Sequence, residues 1–317
     1  MNRLRAGVIG VGYLGRFHAE KYAGCKGVKL VGVADSDGAR AREVGAKLRC
    51  AAFFDYRELL PRVDLVSIAV PTESHHAVAR AAIEAGVHVL LEKPVTRTLA
   101  EADALVALAR EHAVRFGAGH LERFNPAFRA LERQLDRPLF IDCERLSGFK
   151  QRGTDVDVVL DLMIHDLDLV LAMVGSEPVS VSACGFSVLT RSTDIANARL
   201  EFADGCVANL SASRVSQAPV RKLRVFQTDL YISADLQAAK LRAVRAAPDG
   251  TRIVENESDF DGADALRAEV EAFVGAVRER RDPPVTGEDG RRALALALEV
   301  GRLVRERLMR FSAARAR

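Results

Sequence analysis

Apolar and polar positions alternate regularly along the first 120 residues. Short apolar stretches typical of buried strands lie at 6–9, 29–34, 64–70, 87–91 and 114–119. Apolar residues spaced as on one face of a helix occupy the intervening segments, at 14–23, 39–47, 74–85 and 98–112. Strands that alternate with helices predict a doubly wound parallel sheet, so residues 1–120 are expected to form an α/β domain.

The pattern changes near residue 121. Longer strand-like stretches, separated by turn residues, lie at 139–147, 179–190, 195–202, 206–213, 221–227 and 230–235. Helical spacing recurs at 126–135, 156–173, 263–281 and 287–310. Because most of these strands have no helix between them, they predict an antiparallel sheet, and residues 121–317 are expected to form an α+β domain.

Composition narrows the class of protein. The chain has 317 residues, 49% apolar and 28% charged, which suits about two globular domains and excludes wholesale disorder. It has no run of about 18 apolar residues, and its first residues lead directly into a strand, so neither a transmembrane helix nor a signal peptide is expected. Five isolated cysteines predict free, mostly buried thiols in a reducing compartment, and hence a cytoplasmic protein. The small net charge of +3 argues against a nucleic-acid partner.

A glycine motif follows the first strand, with the sequence Gly10-Val11-Gly12-Tyr13-Leu14-Gly15. In this G-x-G-x-x-G pattern the first glycine permits a tight turn, the second allows close approach of a pyrophosphate, and the third lets helix and strand pack closely. Asp35 comes 20 residues after Gly15, where a carboxylate accepts hydrogen bonds from ribose hydroxyls. The motif predicts a dinucleotide site, the alternative being a glycine-rich turn without a ligand. Asp35 would repel a 2′-phosphate and favours NAD, although the nearby Arg40 leaves NADP open.

Two further strands end in chemically notable residues. Pro71-Thr72 follows one strand, and Glu92-Lys93-Pro94 ends the next. Ligands of open α/β sheets bind at the carboxyl ends of strands, so Lys93 is expected to point into the site beside a nicotinamide. The alternative is a strand-end lysine exposed to solvent. For His75, at the start of the following helix, a cofactor contact and a capping or surface role both stay open.

The apolar helix at 156–173 carries a polar stripe formed by Asp157, Asp161, His165 and Asp168. Burying such groups is costly unless they are paired or face a wet cleft. A histidine one turn from an aspartate is a candidate general base, because the carboxylate holds the imidazole tautomer and raises its basicity. A structural Asp–His pair is the alternative. A metal site is disfavoured, since no second histidine follows at ligand spacing.

The predicted site also includes polar residues at and beyond the change of pattern. Arg123 and Asn125 are candidate cofactor or substrate contacts, or else part of a polar hinge. Lys150, Arg152 and Arg214 could bind an anionic group such as a diphosphate, or could be surface charges. The predicted cofactor-binding residues are Gly10, Gly12, Tyr13, Leu14, Gly15, Asp35, Pro71, Thr72, His75, Glu92, Lys93 and Arg123. The predicted substrate-binding residues are Lys93, Asn125, Lys150, Arg152, Asp161, His165 and Arg214.

Three motifs together resemble one enzyme family over nearly the whole chain. They are Gly10 to Gly15, Glu92-Lys93-Pro94 and Asp161-Leu162-Met163-Ile164-His165, and they resemble the glucose-fructose oxidoreductase / inositol dehydrogenase / MocA family. The resemblance implies an N-terminal Rossmann domain and a C-terminal α+β domain with a large open antiparallel sheet. It also implies that Lys93 and His165 are the catalytic pair, with Asp161 supporting His165. An open sheet needs covering, so a homodimer or homotetramer is expected.

Within the family, three stretches resemble the UDP-N-acetylglucosamine 3-dehydrogenases: 119–126, 152–157 and 211–214. This resemblance implies NAD-dependent oxidation of the sugar 3-hydroxyl to a ketone, in amino-sugar synthesis for lipid A or surface polysaccharide. The alternatives are another sugar or inositol dehydrogenase, a metal-dependent sugar lyase or isomerase, and a non-catalytic NAD-sensing protein.

Overall fold

The structure is a computed structural model that describes residues 3–149, 156–247 and 252–315. The chain forms two units. The first unit contains Met1–Leu121 and Asp264–Arg292, and the second contains Glu122–Ala263 and Ala293–Arg317. Among the described residues, no helix combines the length and the apolar character needed to cross a bilayer. All five cysteines are free thiols, but only Cys143 and Cys206 are buried, so the expectation of mostly buried thiols was wrong.

The first unit has a six-stranded parallel sheet with the order β3-β2-β1-β4-β5-β6. Its strands are β1 (Leu4–Ile9), β2 (Val28–Ala34), β3 (Ala51–Phe53), β4 (Leu65–Ile68), β5 (His88–Glu92) and β6 (Phe116–Gly119). The helices along this segment are α1 (Gly15–Gly24), α2 (Gly38–Leu48), α3 (Thr72–Glu84) and α4 (Leu99–Glu111). The predicted doubly wound sheet is confirmed, with one added strand, since the three-residue β3 is too short to show a periodic pattern.

A later helix also belongs to the first unit. The helix α7 (Ala265–Glu279) buries Val270 and Phe273 in the same apolar core as Ala19 and Tyr22 of α1. The division of the sequence after residue 120 assigned this helix to the second domain, and the structure corrects that assignment. The physical reason is that the amphipathic face of α7 covers α1, a long-range contact that local periodicity does not reveal.

The second unit has an eight-stranded sheet with the order β14-β13-β12-β11-β7-β10-β9-β8. Its strands are β7 (Pro138–Leu146), β8 (Pro178–Phe186), β9 (Ile195–Phe202), β10 (Val207–Ser213), β11 (Val220–Gln227), β12 (Leu230–Asp235), β13 (Lys240–Ala246) and β14 (Ile253–Asp259). The antiparallel expectation holds for every pair except β7 and β10, which run parallel. The sequence pattern missed β13 and β14; in β14, five of the seven residues are polar and six are exposed.

The remaining helices are α5 (Pro126–Glu132), α6 (Ile164–Val174) and α8 (Gly287–Arg315). The helix predicted at 156–173 is not uniform: a π-helical turn at Val159–Met163 precedes α6. Apolar residues of this segment pack with those of the sheet in the core of the second unit. π-Helical turns are rare in proteins, and those that occur often lie at functional sites.

Candidate cofactor and active site

The glycine loop joins β1 to α1 in the first unit. Gly10 has φ of +81°, and a Cβ there would lie 2.7 Å from the carbonyl oxygen of Ala69. A Cβ at Gly15 would lie 1.7 Å from the carbonyl oxygen of Gly10, so this helix–strand contact requires glycine. A Cβ at Gly12 would meet nothing within 4 Å, which places Gly12 on the open side of the loop. The loop therefore has the local geometry that a pyrophosphate requires.

Tyr13 and Leu14 form the outer side of the same loop. Their side chains are 57% and 42% exposed, although both are large and apolar. The ring of Tyr13 packs edge-on against Phe17, with the centroids 5.6 Å apart. These positions are compatible with the predicted cofactor contacts.

Asp35 follows β2 and connects that strand to the glycine loop. Its carboxylate accepts hydrogen bonds from the backbone N–H of Val11 at 2.8 Å and of Asp37 at 2.9 Å. The Arg40 guanidinium lies 3.2 Å from Asp35 and 3.1 Å from Asp37, so both aspartates pair with this arginine. Asp35 is thus fixed beside the loop, and the charge of Arg40 is largely balanced.

A groove of about 670 Å³ lies over these residues in the first unit. Its lining includes Gly10, Gly12, Asp35, Arg40 and Pro71. This volume is within the range of about 300–1,000 Å³ typical of small-molecule and cofactor sites. The cradle formed by the glycines, the placement of Asp35 and the size of the groove fit a dinucleotide. The bound cofactor would lie with its phosphates over the loop and a ribose near Asp35.

The segment after β4 supplies Pro71 and Thr72, and Thr72 begins α3. His75, in the first turn of α3, is 1% exposed. Its two ring nitrogens lie within 2.9 Å of the carbonyl oxygens of Val70 and Pro94. Burial lowers the pKa of His75, and the two carbonyl contacts oppose that shift. His75 therefore contacts main chain inside the unit, which contradicts the surface role, while a cofactor contact stays a prediction.

Lys93 lies directly after β5 and is partly exposed, and the Lys93–Pro94 peptide bond is cis. Its backbone N–H donates to the carboxylate of Glu92 at 3.2 Å. Glu92 also lies 3.0 Å from Nε2 of His18, a buried residue of α1. Burial raises the pKa of Glu92, but His18 and the charge of Lys93 outweigh it, so the net shift is downward. The carboxylate of Glu92 is thus held between His18 and the main chain of Lys93, with its side chain 13% exposed.

The sequence analysis missed His18, although a signal was present. His18 comes three residues after Gly15 and four before Tyr22, on the buried face of α1. Its Nδ1 lies 3.1 Å from Oγ of Ser67, a polar residue in the apolar strand β4. A histidine and a tyrosine one turn apart, together with a serine in a buried strand, would have indicated a polar network beneath the site.

In the second unit, the structure separates the roles of the four polar stripe residues. Asp157 accepts hydrogen bonds from the backbone N–H of Val159 and of Leu160, which begin the helix. Asp168 is 2% exposed and lies 3.2 Å from the guanidinium of Arg123. Asp161, in the π-helical turn, and His165, in α6, are partly exposed. The stripe therefore divides into two structural carboxylates and a partly accessible Asp161 and His165.

A buried ion network anchors the helix of His165. Arg145 of β7 makes a bidentate pair with Asp166 at 2.9 and 2.7 Å, and it also donates to Glu122 at 2.8 Å. Arg221 lies 3.3 Å from the same Glu122 carboxylate. Burial lowers the pKa of Arg145, but the two carboxylates outweigh it and raise the pKa overall. The sequence analysis missed this network, whose clearest signal is Asp166 directly beside His165.

A loop before β9 is tied to the start of the same helix. The carboxylate of Asp194 is buried and accepts three backbone N–H bonds from residues 188–190, at 2.6–2.9 Å. Burial raises the pKa of Asp194, but the hydroxyl of Thr190, which donates to it at 2.7 Å, and these backbone bonds outweigh burial and lower the pKa to about 2. The neighbouring carbonyl of Thr193 accepts the N–H of Val158 at 3.0 Å.

The structure places the remaining predicted contacts in different settings. Asn125 caps α5: its amide oxygen accepts from Ala127, and its NH₂ group donates to Glu122 and to the carbonyl of Leu236. This pattern favours the hinge alternative for Asn125. Arg214 is 5% exposed and donates to the carbonyl of Val156 at 2.6 Å. Lys150 and Arg152 lie outside the described residues.

The doubly wound sheet, the glycine cradle and Asp35 define a dinucleotide-binding protein of the Rossmann type. Residues 4–120 match the family model described as "Oxidoreductase family, NAD-binding Rossmann fold", and residues 130–233 match the GFO/IDH/MocA C-terminal domain. The chain belongs to the Gfo/Idh/MocA family of oxidoreductases. The resemblance inferred from the three motifs is confirmed, and so is the fold class.

Named dehydrogenases are similar to this chain over nearly its whole length. UDP-N-acetylglucosamine 3-dehydrogenase of Acidithiobacillus ferrooxidans is 45% identical over 305 residues, covering 95% of this chain and 97% of the relative. A solved structure of that enzyme matches with a TM-score of 0.90 and 44% identity, covering 96% of this chain and 98% of the other. Inositol 2-dehydrogenase of Rhizobium meliloti is 25% identical over 322 residues, covering 96% of this chain and 98% of the relative. The chain is accordingly a dehydrogenase.

Proposed function

We propose that this protein oxidises the 3-hydroxyl of UDP-N-acetylglucosamine to a ketone, with NAD as the oxidant. The observation that carries the substrate is the 45% identity, across 95% of the chain, to the Acidithiobacillus enzyme of that name. The position of Lys93 supports the chemistry. It follows β5 in the same sheet whose β1 leads into the glycine cradle, and ligands of such sheets bind at the carboxyl ends of the strands.

The proposed catalytic groups are Lys93, His165 and Asp161. His165 removes the proton from the sugar hydroxyl, and Asp161 holds the imidazole in the required tautomer. Lys93 donates a hydrogen bond to the same oxygen, orients it and stabilises the developing alkoxide. Bound NAD would supply the acceptor for the carbon-bound hydrogen, which leaves as hydride. The chain's own contribution is placement of the hydroxyl and removal of its proton.

The proposed cofactor is NAD rather than NADP. Asp35 presents a carboxylate at the groove where a 2′-phosphate would have to lie, and like charges there repel. Arg40 could attract such a phosphate, but it already pairs with Asp35 and Asp37. The proposed contacts to the cofactor are those of the glycine loop, Asp35, the Pro71–Thr72 turn, Lys93 and Arg123.

The proposed contacts to the nucleotide sugar include cationic side chains that suit a diphosphate. Lys150 and Arg152 are the preferred candidates. Asn125 and Arg214 are assigned a supporting role, because their polar atoms bond to main chain within the second unit.

The proposal includes a homodimer or homotetramer in the cytoplasm that serves amino-sugar synthesis for lipid A or surface polysaccharide. Large apolar side chains of the second unit support association: Val179, Val188 and Leu189 are 70%, 59% and 60% exposed. β8, which contains Val179, is also an edge strand of the sheet, and exposed edges invite pairing. The five free thiols suit a reducing compartment.

The decisive experiment is a spectrophotometric screen of NAD reduction with nucleotide sugars, free sugars and inositols. A coupled aminotransferase that consumes the ketone should be present, because ketone formation by NAD can be thermodynamically uphill. Reduction with UDP-N-acetylglucosamine supports the proposal, and reduction with inositol alone would assign the chain to the inositol dehydrogenases, which are also among its relatives. Binding of NADH without turnover of any sugar would indicate a sensor. Loss of activity to a chelator would indicate a metal-dependent lyase or isomerase.

A further inference from the structure

A buried cluster of polar side chains lies beneath Lys93 in the first unit. The His18 cluster comprises His18 and Tyr22 of α1, Ser67 of β4, Glu92 of β5 and Glu269 of α7. Four of its members form a continuous chain: the Tyr22 hydroxyl lies 2.9 Å from Ser67, Ser67 lies 3.1 Å from His18, and His18 lies 3.0 Å from Glu92.

Glu269 is the fifth member and differs from the others. It is 1% exposed, it lies between Ala268 and the core residue Val270, and neither carboxyl oxygen has a hydrogen-bond partner within the described part of the chain. One of its oxygens lies within 4.8 Å of both a ring nitrogen of His18 and a carboxylate oxygen of Glu92. A buried polar group of this kind needs a physical explanation, because an unpaired buried charge is too costly to maintain.

The charges around Glu269 decide its state. The titratable groups placed against it are His18 and Tyr22 from α1, and Glu92 from β5 with Lys93 directly after it. Because Glu92 already carries a negative charge, ionisation of Glu269 would place two carboxylates within 4.8 Å of each other in a buried setting. Burial raises the pKa of Glu269 well above its ordinary range, and the negative charge of Glu92 raises it further.

We propose that Glu269 is a neutral carboxylic acid that donates its proton in a hydrogen bond to Glu92 and so acts as a positioning residue for Lys93. Such a bond brings the two oxygens to about 2.6 Å, a movement that the rotatable side chain of a glutamate can supply from a separation of no more than 4.8 Å. The proton stays covalently bound to Glu269 and is shared with Glu92 only through the hydrogen bond, so no covalent bond is formed or broken.

The consequence for the site follows from the bonds of Glu92. One carboxylate oxygen of Glu92 lies 3.0 Å from Nε2 of His18, and the other accepts the backbone N–H of Lys93. A donor from Glu269 would fix this carboxylate against the main chain of Lys93. Ionisation of Glu269 would instead repel Glu92 and disturb that main chain. This step rests on the proposed role of Lys93 as a catalytic residue.

A divalent cation held by His18, Glu92 and Glu269 is the competing explanation, since one imidazole and two carboxylates form a possible ligand set. The neutral acid is favoured because Lys93 already supplies a positive charge directly beside Glu92. The neutral acid predicts a protonated Glu269 without bound metal, whereas the cation site predicts an ionised Glu269 with one bound metal ion.

The first test measures stability without substrate or cofactor. Glu269→Gln keeps the shape and a donor but cannot ionise. Relative to this variant, the wild type should lose up to about tenfold in its folding equilibrium constant for each pH unit above the ordinary glutamate range near 4.3, because the unfolded chain releases the proton first. The loss should stop at the raised pKa of Glu269. The matched control is Glu271→Gln, two residues along α7 and exposed, which should show no such pH dependence.

Infrared spectroscopy gives a second readout that does not depend on the variant's stability. The wild type at neutral pH should show the carbonyl stretch of a protonated carboxyl group. This band should shift in Glu92→Gln, which removes the charged acceptor, and be absent in Glu269→Gln. Absence of the band from the wild type would overturn the proposal. The proposal would also be overturned if the purified wild type contains one equivalent of metal and Glu269→Gln contains none.

The activity test then separates positioning from simple packing. Glu269→Gln should keep kcat within about threefold at neutral pH and lose the alkaline decline of the wild type, whereas Glu269→Leu, which has no donor, should lower kcat more than it changes KM. Equal kcat values and pH profiles for all three proteins would refute a positioning role. Because the stability and infrared tests use no substrate, their success together with undiminished activity of Lys93 variants would reject only the proposed function.

Discussion

One ring nitrogen of His75 lies 2.8 Å from the carbonyl oxygen of Pro94. The other lies 2.9 Å from the carbonyl oxygen of Val70, so one buried side chain joins the segments that follow β4 and β5. These are the two strand ends where the sequence analysis located Pro71 and Lys93. The side chain of His75 therefore contacts both segments that carry these predicted site residues from the interior of the first unit.

Replacement of His75 by alanine should destabilise the protein by about 2 kcal/mol or more, because a buried carbonyl loses its donor and a cavity is left. Affinity for NADH should fall as well, since the Pro71 segment lines the groove. Chemical denaturation and fluorescence titration with NADH measure the two effects. His76→Ala is the control, since this neighbour is partly exposed. Equal losses in both variants would contradict the tethering role of His75.

Replacement of Asp35 by serine should weaken NAD binding about 10- to 100-fold, equivalent to about 1–3 kcal/mol for lost hydrogen bonds to a charged acceptor. NADP binding should weaken less or improve, because the repulsive carboxylate is removed. Titrations with both reduced cofactors test this. Asp37→Ser is the control, because serine also caps helices and Asp37 is the exposed N-cap of α2. An unchanged preference between the two cofactors in Asp35→Ser would show that Asp35 does not select NAD.

Lys93→Met and His165→Ala should each lower kcat by about 10²–10⁴-fold on the true substrate, as expected for loss of one acid–base group. NADH affinity should stay near normal in His165→Ala, since His165 is assigned only to the substrate. Steady-state kinetics and NADH titration provide the two readouts. His112→Ala, an exposed histidine at the end of α4, serves as the control. Near-normal turnover of either site variant would remove that residue from the mechanism.

Arg145→Met should destabilise the protein by about 3–5 kcal/mol, because Glu122 and Asp166 would be left as buried, uncompensated carboxylates. The activity of the surviving folded protein should also fall, since Asp166 adjoins His165. Urea denaturation followed by residual activity measures both. Lys240→Met is the comparison, because its pair with Asp259 is exposed to solvent and is expected to contribute little to stability. A cost for Arg145→Met no greater than that of Lys240→Met would contradict the network's structural role.

Asp194→Asn should cost about 2 kcal/mol at pH 7, because the native hydrogen bonds hold the pKa of Asp194 at about 2 against an ordinary 3.8. Because the folded-state pKa lies below the unfolded value, ionised Asp194 stabilises the protein above about pH 4, and this stabilisation is lost as the pH falls toward 2. The stability difference between wild type and variant should therefore shrink below about pH 4. Denaturation curves at a series of pH values test this. A difference independent of pH would show that the charge of Asp194 is not what stabilises the loop.

Local patterns account for the parts of the fold that short segments dictate. Strand and helix periodicity located most elements of both units, and the combination of Gly10 to Gly15 with Asp35 predicted the dinucleotide cradle. They succeed because each depends on residues near in sequence: a left-handed φ at Gly10, or a strand followed by a helix. The exposed strand β14 lacked such a pattern and was missed.

Tertiary structure decided which polar residues form the site and which support it. Asp157 and Asp168 share the spacing of Asp161 and His165, yet one caps the helix and the other pairs with Arg123. His18 and Glu269 are 251 residues apart in the sequence, and only the packing of α7 on α1 brings their side chains together. The sequence by itself determined the fold class, the cofactor motif and the family, because these reside in local patterns of a few residues. The burial, the pairing and thus the charge state of each polar group depend on long-range contacts, and only the folded chain could decide them.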